Sequence, residues 1–339
     1  MRHINIPIFI PHLGCPNACV FCNQKKISGS VGYDFEDVEN EIERALSTTS
    51  AEDEIELAFF GGSFTGIDRG EMLRLLGLAK RYMLSGRIGG IRLSTRPDYI
   101  DPEITAILRE YGVMTVELGI QSMSDAVLRA SGRGHSAADS EKACAMLVDA
   151  GISVVGQMMI GLPASTASDE VETAERICRM GCSASRIYPT AVFAGTELEA
   201  MMHRGEYIPL TLEDAIERSA VVLEVFLSHD VRCIRIGLCE GEQLHDSEGI
   251  VAGISHSAVG ELTMSRVMLN RIYASLELYD PERLSGKTLV LSVGQGMISR
   301  TSGQKRCNKE AIQHKYRLKN IKIVENTAVL GYNIKIDVF

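Results

Sequence analysis

Short apolar runs alternate with amphipathic helical patterns from residue 5 to residue 236. The runs are almost continuously apolar, which is typical of strands covered on both faces. Such β–α alternation predicts a parallel sheet with right-handed crossovers. Six or seven units of this kind predict an α/β fold, a partial (β/α)₆ barrel of the TIM type. The predicted strands are 5–10, 55–60, 91–94, 114–118, 154–160, 185–188 and 231–236.

The helical segments between these strands carry start and stop signals. In the segment 101–112, Asp101 is the expected N-cap, Pro102 takes the first helical position and Gly112 supplies the stop. Residues 136–151 and 211–227 repeat the amphipathic pattern. These helices complete the predicted β/α units.

The β/α rhythm breaks near residue 240. A Gly- and His-containing loop follows, and then a helix is predicted over about 261–277. The last stretch reads as a strand, two helices and two more strands, with the strands at 287–293, 321–324 and 332–338. We therefore predict three parts: a barrel (1–240), a loop with a connecting helix (241–284) and a small basic α+β module (285–339).

Three cysteines follow the first predicted strand in the spacing C-x-x-x-C-x-x-C: Cys15, Cys19 and Cys22. Active sites of parallel α/β folds gather at the carboxyl ends of strands. A structural zinc site needs four ligands, with His12 as the nearest candidate for the fourth, and a cubane cluster usually takes four thiolates. Three thiolates leave one metal position open, as a catalytic site requires. The spacing and its location favour an open iron–sulfur cluster over zinc or three unrelated buried thiols.

The run "CPNACVFC" resembles the signature of the radical S-adenosylmethionine (SAM) superfamily. The resemblance implies a [4Fe–4S] cluster held by Cys15, Cys19 and Cys22, with SAM on the remaining iron. One-electron reduction in that superfamily cleaves SAM to methionine and a 5′-deoxyadenosyl radical. The resemblance therefore implies an enzyme that takes electrons from a donor such as flavodoxin or ferredoxin.

Further motifs at strand ends are similar to SAM-binding segments of the superfamily. "FFGGSF" resembles the segment that binds the SAM amino group, and "QMMIGLP" resembles the one that flanks the adenosine. By the match of "VELGIQSMSDAVLRASGRGH", Gln121 would contact the ribose and Arg133 the carboxylate of SAM. The residues that the resemblance assigns to the SAM site are Phe21, Gly61, Gly62, Ser63, Gln121, Arg133 and Gln157.

Two motifs resemble the catalytic subunit of Elongator, a tRNA-modifying radical SAM enzyme. They are "RLSTRPDYID", with Ser94 where relatives carry Glu, and "RIYPTAVFAGTEL", with Arg186 in place of Lys. The resemblance covers residues 5 to about 236, and no acetyl-CoA loop follows it. Residues 116–135 are also similar to anaerobic coproporphyrinogen oxidase, but the extra cysteine of that enzyme is replaced by Gln24.

The net charge of −9 conceals a basic segment, residues 297–322, which holds eight Lys and Arg but one Glu. The module order and the turn "GQKR" are similar to a KH-type RNA module, whose loop clamps a nucleotide backbone. The alternative is a solvated basic helix face. The candidate nucleic-acid contacts are Arg300, Lys305, Arg306 and Lys309.

The main functional prediction is a radical SAM enzyme that modifies a nucleotide of tRNA or another RNA. The alternatives are a radical SAM enzyme acting on a tetrapyrrole or other small molecule, and a non-enzymatic metal-cluster protein. No apolar run approaches the roughly 18 residues of a membrane span, and no export signal is recognisable, so we expect a cytoplasmic protein without membrane contact. Four further cysteines allow a second metal site, but we interpret them as ordinary thiols: Cys178, Cys182, Cys233 and Cys239.

Overall fold

A computed structural model describes residues 2–10, 19–22, 35–50, 52–238 and 249–339 of the chain. The residues of the sequence analysis that lie outside these ranges are His12, Cys15, Gln24 and Cys239.

Within the described residues, the main sheet has seven parallel strands in the order β1-β2-β3-β4-β5-β6-β8. Each neighbour pair is parallel, and β1 and β8 form the two ends of the order. The predicted α/β partial barrel is confirmed, and every predicted strand of the barrel is present. The strands are β1 (His3–Ile10), β2 (Glu54–Gly61), β3 (Gly90–Thr95), β4 (Val113–Gln121), β5 (Ser153–Ile160), β6 (Ala184–Pro189) and β8 (Arg232–Ile236).

Helices connect the strands and cover the sheet, which buries side chains such as Leu57, Leu93 and Leu118 completely. Their caps match the sequence signals, since the Asp101 carboxylate accepts a hydrogen bond from Ile104 N. The helices of this region are α1 (Phe35–Leu46), α2 (Arg69–Leu84), α3 (Pro102–Glu110), α4 (Asp125–Ala130), α5 (Ala137–Asp149), α6 (Ala167–Arg179), α7 (Glu197–His203) and α8 (Leu212–Ser228).

A small antiparallel ribbon joins β7 (Ala191–Phe193) to β9 (Ile250–Gly253). The sequence reading placed the second of these segments in a loop, and that assignment is wrong. Strands of three and four residues are too short for a periodic signal, and these two pair across more than 50 residues.

The chain divides into two units, residues 1–211 with 226–255, and residues 212–225 with 256–339. These limits differ from the boundaries predicted near residues 240 and 285. The first part of α8 belongs to the second unit, where Glu213 and Glu217 pair with Arg266.

The second unit has a three-stranded sheet with β10 in the centre, parallel to β11 and antiparallel to β12. Its buried core includes Ile272, Leu291 and Ile312. The predicted order of strand, two helices and two strands is present. The elements are α9 (Val259–Leu276), α10 (Pro281–Leu284), β10 (Thr288–Val293), α11 (Ile298–Ser302), α12 (Cys307–Lys315), β11 (Asn320–Glu325) and β12 (Ile334–Val338).

Candidate active site at the strand ends

The segment 19–22 and the carboxyl ends of strands β2 to β5 line one cavity of about 170 Å³. Carboxyl ends of parallel strands share one edge of the sheet, so residues distant in sequence meet there. All nine described residues that the sequence predicted for the cluster and for SAM line this cavity. They are Cys19, Phe21, Cys22, Gly61, Gly62, Ser63, Gln121, Arg133 and Gln157.

The cysteine segment forms a tight turn, because Cys22 N donates to Cys19 O at 3.0 Å. Cys19 is buried, Cys22 is half-buried, and both carry free thiols. Arg133 Nη1 lies 3.4 Å from Cys19 Sγ in donor geometry. A guanidinium donor beside a thiolate suits a site that concentrates negative charge on sulfur.

The glycine pair at the end of β2 gives the cavity a backbone wall. Gly61 has a φ of +110°, and a Cβ at this position would lie 2.5 Å from Ile10 O of β1. Gly62 N donates to the same oxygen at 3.3 Å. The close approach of the two strands therefore requires glycine, and it leaves this edge of the cavity without a side chain.

A bulge at the end of β4 turns Gln121 into the cavity. The register against β5 shifts between Gly119 and Gln121, and Gln121 has a left-handed φ of 67°. Non-glycine residues in this conformation cluster at functional sites, where the surrounding structure holds the strain.

Two side chains from the loop after α4 hold the carbonyls of this bulge. Arg133 Nη2 donates to Gly119 O at 2.7 Å, and His135 Nε2 lies 3.2 Å from Ile120 O. Burial, together with the Arg133 charge, lowers the pKa of His135 to about 4. His135 is therefore neutral near pH 7 and donates one ring N–H to the bulge. Sequence reasoning missed this role of His135, although the residue closes the quoted motif.

Two buried polar atoms in the cavity have no hydrogen-bond partner among the described residues, the acceptor Gln121 Oε1 and the donor Arg133 Nε. Buried polar groups are nearly always paired, so both atoms indicate a ligand that offers a donor and an acceptor. The hydroxyl groups and carboxylate of SAM have this chemistry. The residues present therefore fit SAM beside the cysteine segment.

A buried charge network lies inside the barrel next to the cavity, and sequence reasoning missed it. Glu117 is 1% exposed and accepts from Gln157 Nε2 at 2.8 Å, from Arg186 Nη2 at 2.7 Å and from Arg92 Nη1 at 3.2 Å. Arg92 Nε also donates to Glu56 at 2.8 Å. The sequence signal for this network is the presence of charged residues inside otherwise apolar strands. The network fixes the side-chain amide of Gln157, which lines the cavity.

The "STRPDY" motif supplies a further wall of the cavity. Arg96 is 3% exposed and donates to both carboxylate oxygens of Asp98 at 2.9 Å. The hydroxyls of Thr65 and Thr95 lie 2.6 Å apart. Ser94 also lines the cavity.

The candidate nucleic-acid residues lie in the second unit, around the turn between α11 and α12. Lys305 and Arg306 are exposed and have left-handed φ angles of 52° and 69°, whereas Lys309 is half-buried. Arg300 forms a two-pronged ion pair with Glu261 at 3.1 and 3.0 Å. Of these four residues, Lys305 and Arg306 are therefore exposed, and the Arg300 guanidinium is paired with the carboxylate of Glu261.

The other described cysteines, Cys144, Cys178, Cys182, Cys233 and Cys307, all carry free thiols. Cys182 Sγ lies 3.7 Å from Cys144 Sγ, and burial raises the pKa of Cys178 and of Cys233 to about 11. Among the described residues, which exclude Cys239, no group of three or more His, Cys, Asp or Glu side chains could hold a metal ion.

Comparison with known proteins decides the family. The family model described as the Radical SAM superfamily matches residues 9–177, and the one described as the Radical_SAM C-terminal domain matches residues 182–271. The chain belongs to the radical SAM superfamily. It is therefore an enzyme of this superfamily, with a [4Fe–4S] cluster and SAM as its cofactors.

Relatives share part of the radical SAM region. The chain is 34% identical over 174 residues to a tRNA uridine(34) acetyltransferase of Methanocaldococcus infernus, which covers 50% of this chain and 31% of that protein. It is 30% identical over 137 residues to Elongator complex protein 3 of Saccharomyces cerevisiae, covering 40% and 25%. An uncharacterised protein of Methanocaldococcus jannaschii is 29% identical over 214 residues, covering 60% and 65%. The matched part is thus between a quarter and two thirds of these relatives' lengths.

Solved structures show the same fold. The archaeal Elp3 of Methanocaldococcus infernus, with residues 1–46 deleted, aligns with a TM-score of 0.63 at 23% identity over 87% of this chain and 67% of that chain. Coproporphyrinogen III oxidase of Escherichia coli aligns with a TM-score of 0.50 at 13% identity over 82% and 78%. No helix in the described part of the chain is long and apolar enough to cross a bilayer.

Proposed function

We propose that this radical SAM enzyme holds its cluster through Cys15, Cys19 and Cys22 and cleaves SAM reductively. The observation that carries the proposal is a cavity that is lined by Cys19 and Cys22 together with Gln121 and Arg133. When bound at these cysteines, the cluster would supply one electron to the sulfonium of SAM, which would give methionine and a 5′-deoxyadenosyl radical. A reduced flavodoxin or ferredoxin would return that electron to the cluster.

The residues of the chain bind and orient SAM. Gln121 Oε1 would accept from a ribose hydroxyl and Arg133 Nε would donate to the carboxylate, which would satisfy the two buried atoms that have no partner in the described residues. The backbone at Gly61 and Gly62 would leave room for the amino group, since neither residue has a Cβ.

The side chains of Phe21 and Ser63 complete the wall of the SAM site, together with Gln157. Glu117 keeps the Gln157 amide in place through its 2.8 Å hydrogen bond. The bound SAM would thus contact side chains that the rest of the barrel already holds in position.

We further propose that the substrate is a nucleotide of tRNA or another RNA, in a cytoplasmic enzyme. The similarity to a tRNA uridine(34) acetyltransferase and to Elongator complex protein 3 supports this substrate class. The basic segment adds a surface for phosphates, with Lys305 and Arg306 exposed on the turn and Lys309 beside it. Arg300 would join them by exchanging Glu261 for a phosphate, and the unit would act in the manner of a KH-type module.

A small-molecule substrate is the second candidate, because the chain shares its fold with coproporphyrinogen III oxidase of Escherichia coli. That candidate predicts no salt-sensitive binding of RNA. A non-enzymatic cluster protein is no longer an alternative, because the superfamily is one of enzymes.

Mass spectrometry of tRNA nucleosides from a deletion strain and its parent tests the RNA proposal. We expect one modified nucleoside to disappear on deletion and to return with the intact gene. The Cys19→Ala gene is the matched control and should not restore it. An unchanged nucleoside profile would contradict the RNA substrate and favour the small-molecule candidate.

A further inference from the structure

The backbone of Val20, between the two described cysteines, is hydrogen-bonded on both sides. Val20 N donates to Ser131 O at 3.1 Å, and Val20 O accepts from Leu198 N at 2.8 Å. Leu198 lies in the first turn of α7, where helix amides have no intrahelical acceptor. The cysteine segment thus satisfies a helix amide that is more than 170 residues away in the sequence.

The side chains beside these bonds pack together. Val20 and Phe21 are partly buried against a cluster formed by Val192, Leu198 and Tyr207. Leu198 and Val192 are completely buried, and Tyr207 is 7% exposed. The segment that contributes these three residues, 191–207, is called the clamp segment below.

The clamp segment is itself tied to the sheet. Tyr207 Oη donates to Gly161 O at 2.8 Å, one residue beyond the end of β5. The Thr196 side chain accepts from Glu199 N at 3.2 Å, which caps α7 and fixes the turn that presents Leu198 N. The ribbon of β7 and β9 holds the start of the clamp segment. The contacts to Val20 therefore come from a braced element.

We infer that the clamp segment is a positioning element that keeps Cys19 and Cys22 at the cavity and slows the loss of iron from the cluster. Opening of its loop lets a thiolate ligand leave a cluster, and local opening is rare where backbone bonds and buried apolar contacts hold a loop. Leu198 contributes both kinds of contact, so it is the main positioning residue. This inference rests on the proposed cluster at these cysteines.

The test compares Leu198→Ala with Leu147→Ala in the full chain. Both leucines are completely buried, but Leu147 lies on α5 and outside the cluster that holds Val20 and Phe21. Each protein is reconstituted anaerobically with iron and sulfide, and iron transfer to a chelator is followed by absorbance. We expect Leu198→Ala to lose iron about 5- to 30-fold faster than the wild type, the range that one lost core contact produces in an opening equilibrium. Leu147→Ala should lose iron at close to the wild-type rate. The conservative variant Leu198→Met should also lose iron at close to the wild-type rate.

Equal rates of iron loss in the two alanine variants would overturn the inference, because Leu198 would then act only through global stability. If Leu198→Ala does not fold, Tyr207→Phe replaces it, with Tyr279→Phe in the second unit as the control. Faster loss in Tyr207→Phe alone supports the clamp, and equal loss in both contradicts it. A wild-type chain that takes up no cluster at all would instead contradict the proposed function.

Discussion

Replacing Glu117 should destabilise the barrel more than any other single carboxylate change near the site. The carboxylate is 1% exposed, and the three groups around it, from Arg92, Arg186 and Gln157, all donate to it. Glu117→Ala would remove the buried carboxylate to which the guanidinium groups of Arg92 and Arg186 both donate, and Arg92 would keep only Glu56. Removal of one partner from a buried ion pair costs about 3–5 kcal/mol, a large share of the roughly 5–15 kcal/mol that stabilises a typical protein.

Glu117→Gln makes the test sharper, because it preserves shape but replaces one acceptor oxygen with a donor NH₂. That amide must face one of the three donors, so we expect a loss of about 1–3 kcal/mol for an unsatisfied buried group. Glu117→Ala should also weaken SAM binding, since Gln157 then loses its acceptor.

The assay is urea unfolding of the full chain, followed by far-ultraviolet circular dichroism, with SAM affinity from calorimetry. Glu103→Ala serves as the control, because its carboxylate is 72% exposed and pairs with Arg69 at 3.7 Å on the surface. An unfolding midpoint of Glu117→Ala that matches the midpoint of Glu103→Ala would refute the argument that this network stabilises the barrel.

Three further predictions concern the cavity wall. Gly61→Ala should abolish measurable SAM binding in calorimetry and lower the unfolding midpoint, because the added Cβ would lie 2.5 Å from Ile10 O at a φ of +110°. An unchanged SAM affinity would contradict this prediction, since it would show that the cavity wall tolerates a side chain. Gln121→Gly should relieve the strain of a φ of 67° and raise the free energy of unfolding by about 1 kcal/mol, but it should weaken SAM binding because the side-chain amide is lost. A variant that is less stable than the wild type would contradict the argument that this backbone is strained. Burial lowers the pKa of His135 from 6.5 to about 4, so the unfolded chain binds this proton before the folded chain does as the pH falls. The contribution of neutral His135 to the free energy of unfolding is therefore fully present above pH 6.5, and it declines by roughly 3 kcal/mol towards pH 4. His135→Gln should flatten that part of the pH–stability curve, and an identical decline in both proteins would contradict the assignment.

The barrel was predictable because its strands are apolar runs with clear ends. The Asp101, Pro102 and Gly112 signals set helix α3 within about one residue of its observed span Pro102–Glu110. The ribbon of β7 and β9 was not predictable, since its pairing depends on tertiary contacts rather than on a local pattern. The place of the first part of α8 in the second unit was not predictable either, because no local pattern reveals its ion pairs with α9.

The candidate site followed from the placement of motifs at strand ends, which a parallel sheet brings to one edge. The conformation of Gln121 and the support from His135 required the β4 bulge, which inserts a residue without a distinct sequence signal. The Glu117 network required the strand register, because its members come from five different strands, β2 to β6. Sequence gives the residues of such a network but not their partners.

The most direct test of the central claim is the production of 5′-deoxyadenosine by the reconstituted enzyme. The protein is loaded anaerobically, reduced and supplied with SAM, and the products are measured by liquid chromatography and mass spectrometry. We expect 5′-deoxyadenosine and methionine in equal amounts from the wild type, and neither above background from Cys19→Ala. A wild-type enzyme with a complete cluster that leaves SAM intact, or a Cys19→Ala variant that cleaves it equally well, would contradict the account.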